Sequence, residues 1–381
     1  MSAARSEPRN SCRAVSAPSE SGGSRLRLLV LHAGALGDCV LTIQFLQWLR
    51  AAPRDTAVTL AARSSIAKWA KRRGLIDDAL ALDAVAAALV KAQTDSPGDW
   101  ARRLQGFDFV VSFLGGTSDP TASALDFLHP SRVIAIDPRP EQQTTPSGIH
   151  ITHQWAQDLE AGFQRASNKM WDRVSGRSGS DRESLSHDVL LESLRASAKS
   201  SRLAAMTTVV DDRALSAPSI SSSNDHARLS ARTGFSKGPI VLCHPGSGGL
   251  AKCSPLEALE VLVRQFADQG WNTAWMIGPD EMERFGLPYR SRLERSGPVV
   301  YEESIERAAD LVCSADLYIG HDAGMTHVAA MAGVPTIAIF GPTDPLVWGP
   351  LGSNCKIAAF PAEGQSREAW ACGILDQINA G

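Results

Sequence analysis

Four short stretches of this 381-residue chain carry residue types whose spacing suits chemistry. "HDAGMTHVAA" sets Asp322, the bare backbone of Ala323 and Gly324, the Thr326 hydroxyl and the His327 imidazole at the mouth of a predicted helix. Free amides there, with the helix dipole behind them, favour an anion. His327 adds charge if protonated and donates one hydrogen bond if neutral. "HPGSGGLAK" frees backbone amides at Gly246, Gly248 and Gly249 and adds the Ser247 hydroxyl and the Lys252 cation, a set that also suits a phosphate. "GPDEME" places Glu281 just after a strand end, where a carboxylate can accept both hydroxyls of a ribose. "GALGD" places Asp38 at another helix mouth, between Gly34, Gly37 and an apolar helix.

Each stretch alone has a plain structural reading. Asp38 serves as an N-cap, Lys252 stands on an ordinary glycine turn, Glu281 is an exposed helix-starting acid, and His327 is a satisfied buried group. Taken jointly, two anion-friendly loops facing one cleft suit a diphosphate. "HAGALGD" lacks the G-x-G-x-x-G dinucleotide spacing and puts an acid where a pyrophosphate would sit, which argues against a nicotinamide dehydrogenase. The lysine loop likewise lacks the G-x-x-x-x-G-K-[ST] spacing of a phosphate-binding P-loop. The cationic run Lys68, Lys71, Arg72, Arg73 in "AKWAKRRG" reads as a solvated helix face, with an acidic acceptor or lipid head groups as the functional alternative.

The elements that must hold these loops follow from hydrophobic patterning. "LRLLVLHAG", "AVTLAARS", "DDALALD", "FDFVVSFLGG" and "SRVIAIDP" read as buried strands. "DCVLTIQFLQWLR", "SIAKWAKRRG" and "WARRLQG" between them read as helices. The alternation predicts an α/β unit with a parallel sheet over residues 25–164. The pattern restarts at "GPIVLCHPGSG". There "WNTAWMIG", "DLYIGHD" and "VPTIAIFG" are strands. "SPLEALEVLVRQFADQG", with a serine cap, Pro255 at its first position and Gly270 as its stop, is a helix, as are "SIERAADLVCSA" and "GMTHVAAMAG", the last closed by Gly333. The second unit spans 237–381. Two Rossmann-like units, their parallel sheets facing a cleft, place ligands at the strand C-termini.

Residues 1–24 and 165–236 are serine- and charge-rich and poor in aromatics. They predict a disordered tail and a linker with a disordered insertion, in which "VLLESLRASAKSSRLAAM" reads as a helix. The net charge of −3 and pI near 6.3 give no overall pull toward nucleic acid. Seven cysteines, an odd number with no C-x-x-C pair, fit a reducing cytosol rather than a disulfide framework or zinc ribbon. No apolar run reaches the roughly 18–20 residues of a membrane span.

"GALGDCVLTIQFLQWLR", "HPGSGGLAKCSP", "GPDEME" and "GHDAGMTHVAAMAGVPTIAIFGPTDPLVWGP" together resemble glycosyltransferase family 9, the ADP-heptose:lipopolysaccharide heptosyltransferases and their relatives, over roughly 25–160 and 237–352. The resemblance implies a GT-B fold, an N-terminal acceptor unit and a C-terminal donor unit. It implies an inverting, metal-independent transferase with no cofactor beyond a nucleotide-sugar co-substrate. Heptose from an ADP-sugar, passed to a glycan or lipopolysaccharide-core acceptor, is the leading expectation. Catalytic roles fall on Asp38, as general base, and on Lys252, beside the donor phosphates. Donor binding falls on Ser247, Gly248, Glu281, Asp322, Ala323, Gly324, Thr326 and His327. The acceptors of the family imply a cytoplasmic protein, with peripheral contact at the inner membrane face as an open alternative.

Four positions depart from the family pattern. Cys253 and Ser254 stand where a basic or polar residue and then tryptophan are usual, His321 replaces an asparagine, and Ala323 replaces a serine. They bear on donor identity, and they keep open a nucleotide-sugar-binding protein with a decayed site. An epimerase or hydrolase on the same fold is the other alternative.

Overall fold

The computed structural model describes residues 25–50, 56–63, 65–87, 106–114, 125, 133–139, 149–174 and 223–379. The first unit contains β1 (Leu26–His32), α1 (Leu36–Arg50), β2 (Thr56–Ala62), α2 (Ile66–Arg72), β3 (Asp78–Ala81), β4 (Phe109–Phe113) and β5 (Val133–Ala135), followed by α3 (Ile151–Val174). Its sheet runs β3-β2-β1-β4-β5, with every pairing parallel. Strands this apolar are buried on both faces: β4 is buried at every position, and so is β1 except at Arg27.

The second unit comprises α4 (Ser223–Thr233), β6 (Ile240–His244), α5 (Leu256–Asp268), β7 (Asn272–Ile277), α6 (Pro279–Glu294), β8 (Val299–Tyr301), α7 (Ile305–Val312), β9 (Leu317–His321), α8 (Gly324–Met331), β10 (Thr336–Phe340), α9 (Pro345–Trp348), β11 (Cys355–Ala359) and α10 (Arg367–Asn379). Its parallel sheet runs β11-β10-β9-β6-β7-β8. In both sheets the chain order reverses beside the first strand, between β1 and β4 and between β6 and β9. Open α/β sheets bind ligands at that switch point, outside the strand C-termini. The GALGD loop leaves β1 there; the HPGSGG and HDAG loops leave β6 and β9, which end side by side with His244 opposite Gly320.

The expected strands appear within three residues of their predicted limits. Gly74, Gly270 and Gly333 close their helices at φ of 72°, 88° and 77°. Three expectations change. Helix α3 continues through Val174, past the predicted edge of the first unit. The serine-rich stretch before residue 237 ends in α4, which forms because it has somewhere to pack: Leu229 is fully buried, Arg232 donates to the Tyr301 carbonyl, and Arg232 also pairs with Glu302. Pro255, not Ser254, occupies the cap of α5, since Ser254 is engaged elsewhere. The predicted helices at "WARRLQG" and "VLLESLRASAKSSRLAAM", the tail 1–24 and most of the insertion lie outside the described residues.

The units meet along two seams. One runs between α1 and α8, where a Cβ on Gly324 would fall 2.4 Å from Cγ of Leu36; only a glycine lets the two helix mouths come this close. The other joins α2 to α7. Arg72 and Arg73 both pair with Asp310 at 2.8 Å, Arg72 also with Glu306 at 2.9 Å, and Trp69 Nε1 donates to Asp310 at 3.0 Å. Lys71 pairs with Asp78. The solvated-face reading holds for Lys68 and Lys71, which are exposed, whereas Arg73 and the half-exposed Arg72 latch the first unit to the second. Among the described residues, no helix is long and apolar enough to cross a membrane.

Candidate functional site

A cavity of about 840 Å³ opens between the units at the paired switch points. The first unit contributes Gly37, Asp38 and Arg139; the second contributes Ser247, Gly248, Lys252, Glu281, Asp322, Ala323, Gly324 and His327. Nine of the ten residues singled out from sequence thus share one space. Thr326 is the exception. It is fully buried and donates its hydroxyl to the His321 carbonyl at 2.6 Å, bracing the turn from within.

Asp38 lies in the first turn of α1, and its Oδ2 accepts from Arg139 at 2.6 Å. Arg139 was not anticipated: it follows β5 by four residues, and no local pattern ties it to a loop a hundred positions earlier. Beneath Asp38 sits His32, fully buried. It accepts from the Gly34 amide on Nδ1 at 3.0 Å, with the Cys39 thiol 3.2 Å from the same nitrogen. An amide can only donate, so the ring proton resides on Nε2. Burial pushes His32 down to about 4, against the pull of Asp38 and with a further push from Arg139. A neutral ring under the loop leaves the Asp38 charge uncompensated from below.

The second unit builds a denser network. Asp322 Oδ2 accepts from Lys252 Nζ and from the Thr343 hydroxyl, each at 2.7 Å, and His327 Nε2 lies 3.8 Å from Oδ1. Burial pushes the Asp322 carboxyl up, but hydrogen bonds from His327, Lys252 and Thr343 outweigh it and hold the group well below the usual carboxylate range. The Ser247 hydroxyl donates to the Asp322 carbonyl at 2.6 Å, so it fastens the two loops together. Lys252 remains about two-fifths exposed, a cation held at the cavity wall by an anion behind it.

Glu281 is buried rather than exposed, because it closes the start of α6. Its Oε2 accepts from the Gly278 amide at 2.8 Å, and its Oε1 lies 3.4 Å from His244 Nε2. Burial raises its carboxyl, yet the His244 contact and the backbone amides win and bring it to about 2. The carboxylate fits only because residue 246 is glycine: a Cβ there would stand 1.7 Å from Oε1. Ala323 caps α8 without a side-chain bond, and the first turn of that helix lines the cavity. The two loops also approach at Gly37, where a Cβ would make an ordinary contact with His327 Cδ2 at 3.5 Å. Among the described residues, no cluster of three His, Cys, Asp or Glu side chains is spaced to hold a metal ion.

Two parallel-sheet units with facing switch points and one cavity between them define a GT-B protein. Residues 197–370, a little under half of the chain, match the family model of glycosyltransferase family 9 (heptosyltransferase). Lipooligosaccharide heptosyltransferase 2 of Haemophilus influenzae is 29% identical over 125 residues, covering 31% of this chain; the aligned part spans little more than a third, 36%, of that relative's length. The fold is shared with the glycosyl transferase family 9 protein of Veillonella parvula, at a TM-score of 0.58 and 16% identity over 93% of this chain and 96% of that one. E. coli ADP-heptose LPS heptosyltransferase II gives the same score and identity, with 93% and 98% covered. E. coli heptosyltransferase WaaC, solved with ADP, gives 0.52 at 17% identity, with 93% and 99% covered.

Proposed function

We propose that this protein is an inverting glycosyltransferase that moves a sugar, heptose foremost, from an ADP-sugar to a glycan or lipopolysaccharide-core acceptor without a metal ion. One observation carries the reading: a single cavity joins a carboxylate on the first unit, Asp38, to a cation and a helix N-terminus on the second, Lys252 and Ala323–Gly324. The similarity to heptosyltransferases supports heptose as the sugar.

In this mechanism Asp38 takes the proton of an acceptor hydroxyl as that oxygen attacks the anomeric carbon. Arg139 holds one carboxylate oxygen and leaves the other to receive the proton. The bond to the donor diphosphate breaks on the opposite face, and negative charge grows on the leaving group. Lys252, the first-turn amides of α8 and His327 stabilise that charge from fixed positions, where preorganised donors are most effective. Glu281 accepts from the ribose hydroxyls. A cationic side chain and amides at the diphosphate support a route without metal. Closure of the units over the bound donor would limit its hydrolysis.

The test is calorimetric titration with ADP, UDP and GDP in EDTA, followed by product analysis with ADP-heptose. Selective ADP binding and transfer that falls about 10²–10⁴-fold in Asp38→Ala are expected. Selective UDP or GDP binding discards heptose, release of free sugar from donor alone indicates a hydrolase, and turnover of Asp38→Ala within about threefold of wild type removes the general-base role.

A further inference from the structure

The loop that carries Lys252 is held near its start by Arg284, whose guanidinium donates to the Ser247 and Gly248 carbonyls at 2.9 and 3.3 Å. Gly246, Gly248 and Gly249 give it backbone freedom, and the single turn Leu250–Lys252 buries no side chain. Its exit is nevertheless fixed. The Ser254 amide and hydroxyl both reach Nε2 of His321, at 3.0 and 2.9 Å. His321 is the last residue of β9, fully buried, its ring edge-on to Phe360 at 6.0 Å, and it directly precedes Asp322. Two of the positions that depart from the family pattern are thus in contact with each other. Because an amide can only donate, Nε2 is the acceptor and the ring proton is on Nδ1. The entry of the loop is tied to the same turn by Ser247 and the Asp322 carbonyl, and Lys252 meets the Asp322 carboxylate between these two ties.

We propose that His321 is a positioning residue for Lys252: as a neutral acceptor for Ser254 it clamps the glycine-rich loop onto the Asp322 turn and so holds the ammonium where the donor diphosphate departs. The inference rests on the transferase reading. On this account Ser254 and His321 are a matched pair rather than signs of a decayed site. Burial keeps His321 neutral, bringing it down to about 4, which agrees with the acceptor role.

The experiment compares ADP affinity of His321→Leu, which removes the acceptor, and His321→Gln, which keeps one, each made in wild type and in Lys252→Ala. Hydrogen exchange of the 246–254 amides is followed without ligand in the same proteins. The expected result is about a tenfold weaker ADP complex for His321→Leu, the equivalent of one buried hydrogen-bonded contact. That loss shrinks to less than about twofold once Lys252 is already alanine, as expected of two coupled residues, His321→Gln stays near wild type, and loop exchange speeds up only in the leucine variant. An equal loss on both backgrounds, or none, overturns the positioning role while leaving the transferase reading intact. If the wild-type protein binds no nucleotide, the transferase reading falls and the link to the donor with it. The exchange data then judge the clamp alone, and unchanged exchange in His321→Leu overturns that too.

Discussion

Replacing Asp310 by alanine should separate the two units before it unfolds either one. Asp310 lies on α7 of the second unit, its side chain 13% exposed, and it receives Arg73, 14% exposed, from the end of α2. Removing it takes the 2.8 Å carboxylate partner from a nearly buried guanidinium, and breaking a buried pair costs up to about 3–5 kcal/mol. It also strands the N–H of Trp69, a fully buried side chain, at about 1–3 kcal/mol. Arg72, 48% exposed, adds at most about 1 kcal/mol. These terms share one carboxylate and do not add, so a total loss of about 3–5 kcal/mol is expected. Asp310→Asn keeps an acceptor for Trp69 and should lose about half as much. The assay is urea unfolding followed by tryptophan fluorescence and circular dichroism. The alanine variant should show an early transition that reports Trp69, displaced from the main one. A single transition shifted by less than about 1 kcal/mol would refute the latch, and with it the reassignment of Arg72 and Arg73 from a lipid- or acceptor-facing surface to an interdomain contact.

Two further outcomes follow from the same coordinates. Gly246→Ala forces Glu281 from its seat, since the added Cβ falls 1.7 Å from Oε1; titration should show ADP binding weakened by about tenfold, with a stability loss of about 1–3 kcal/mol on thermal unfolding, and unchanged binding would remove Glu281 from the ribose site. His32, His150 and His321 are each pushed by burial from 6.5 to about 4, so the folded protein takes up fewer protons than the unfolded chain between those values. Stability should therefore be flat above pH 6.5 and fall from there toward pH 4, by on the order of 1 kcal/mol per pH unit for each histidine. Urea midpoints at pH 7, 5.5 and 4.5 measure this, and a midpoint constant across that window would show that these rings are not neutral and buried.

The sequence by itself determined nine of the eleven strands among the described residues, the helices closed by glycine and the four loops, but not the edge strands β8 and β11. Those features depend on short-range periodicity and on backbone conformations that few residues adopt, so "LRLLVLHAG" or "GMTHVAAMAG" reads correctly without its neighbours. It also placed Asp38, Lys252, Glu281 and His327 at helix or strand ends, where α/β sheets keep their ligands. Only the tertiary structure decided what those side chains touch. Arg139 meets Asp38 across a hundred residues, and Arg72 and Arg73 cross some 240 residues to Asp310. Thr326 looks inward and donates its hydroxyl to the His321 carbonyl, and Glu281 is buried because Gly246 leaves room for it. Ser254 and His321, which as separate departures from a pattern suggested loss, prove to be partners at 2.9 Å. Contacts between residues so far apart in the chain are set by how two sheets and their helices pack, and no local pattern in the sequence encodes them.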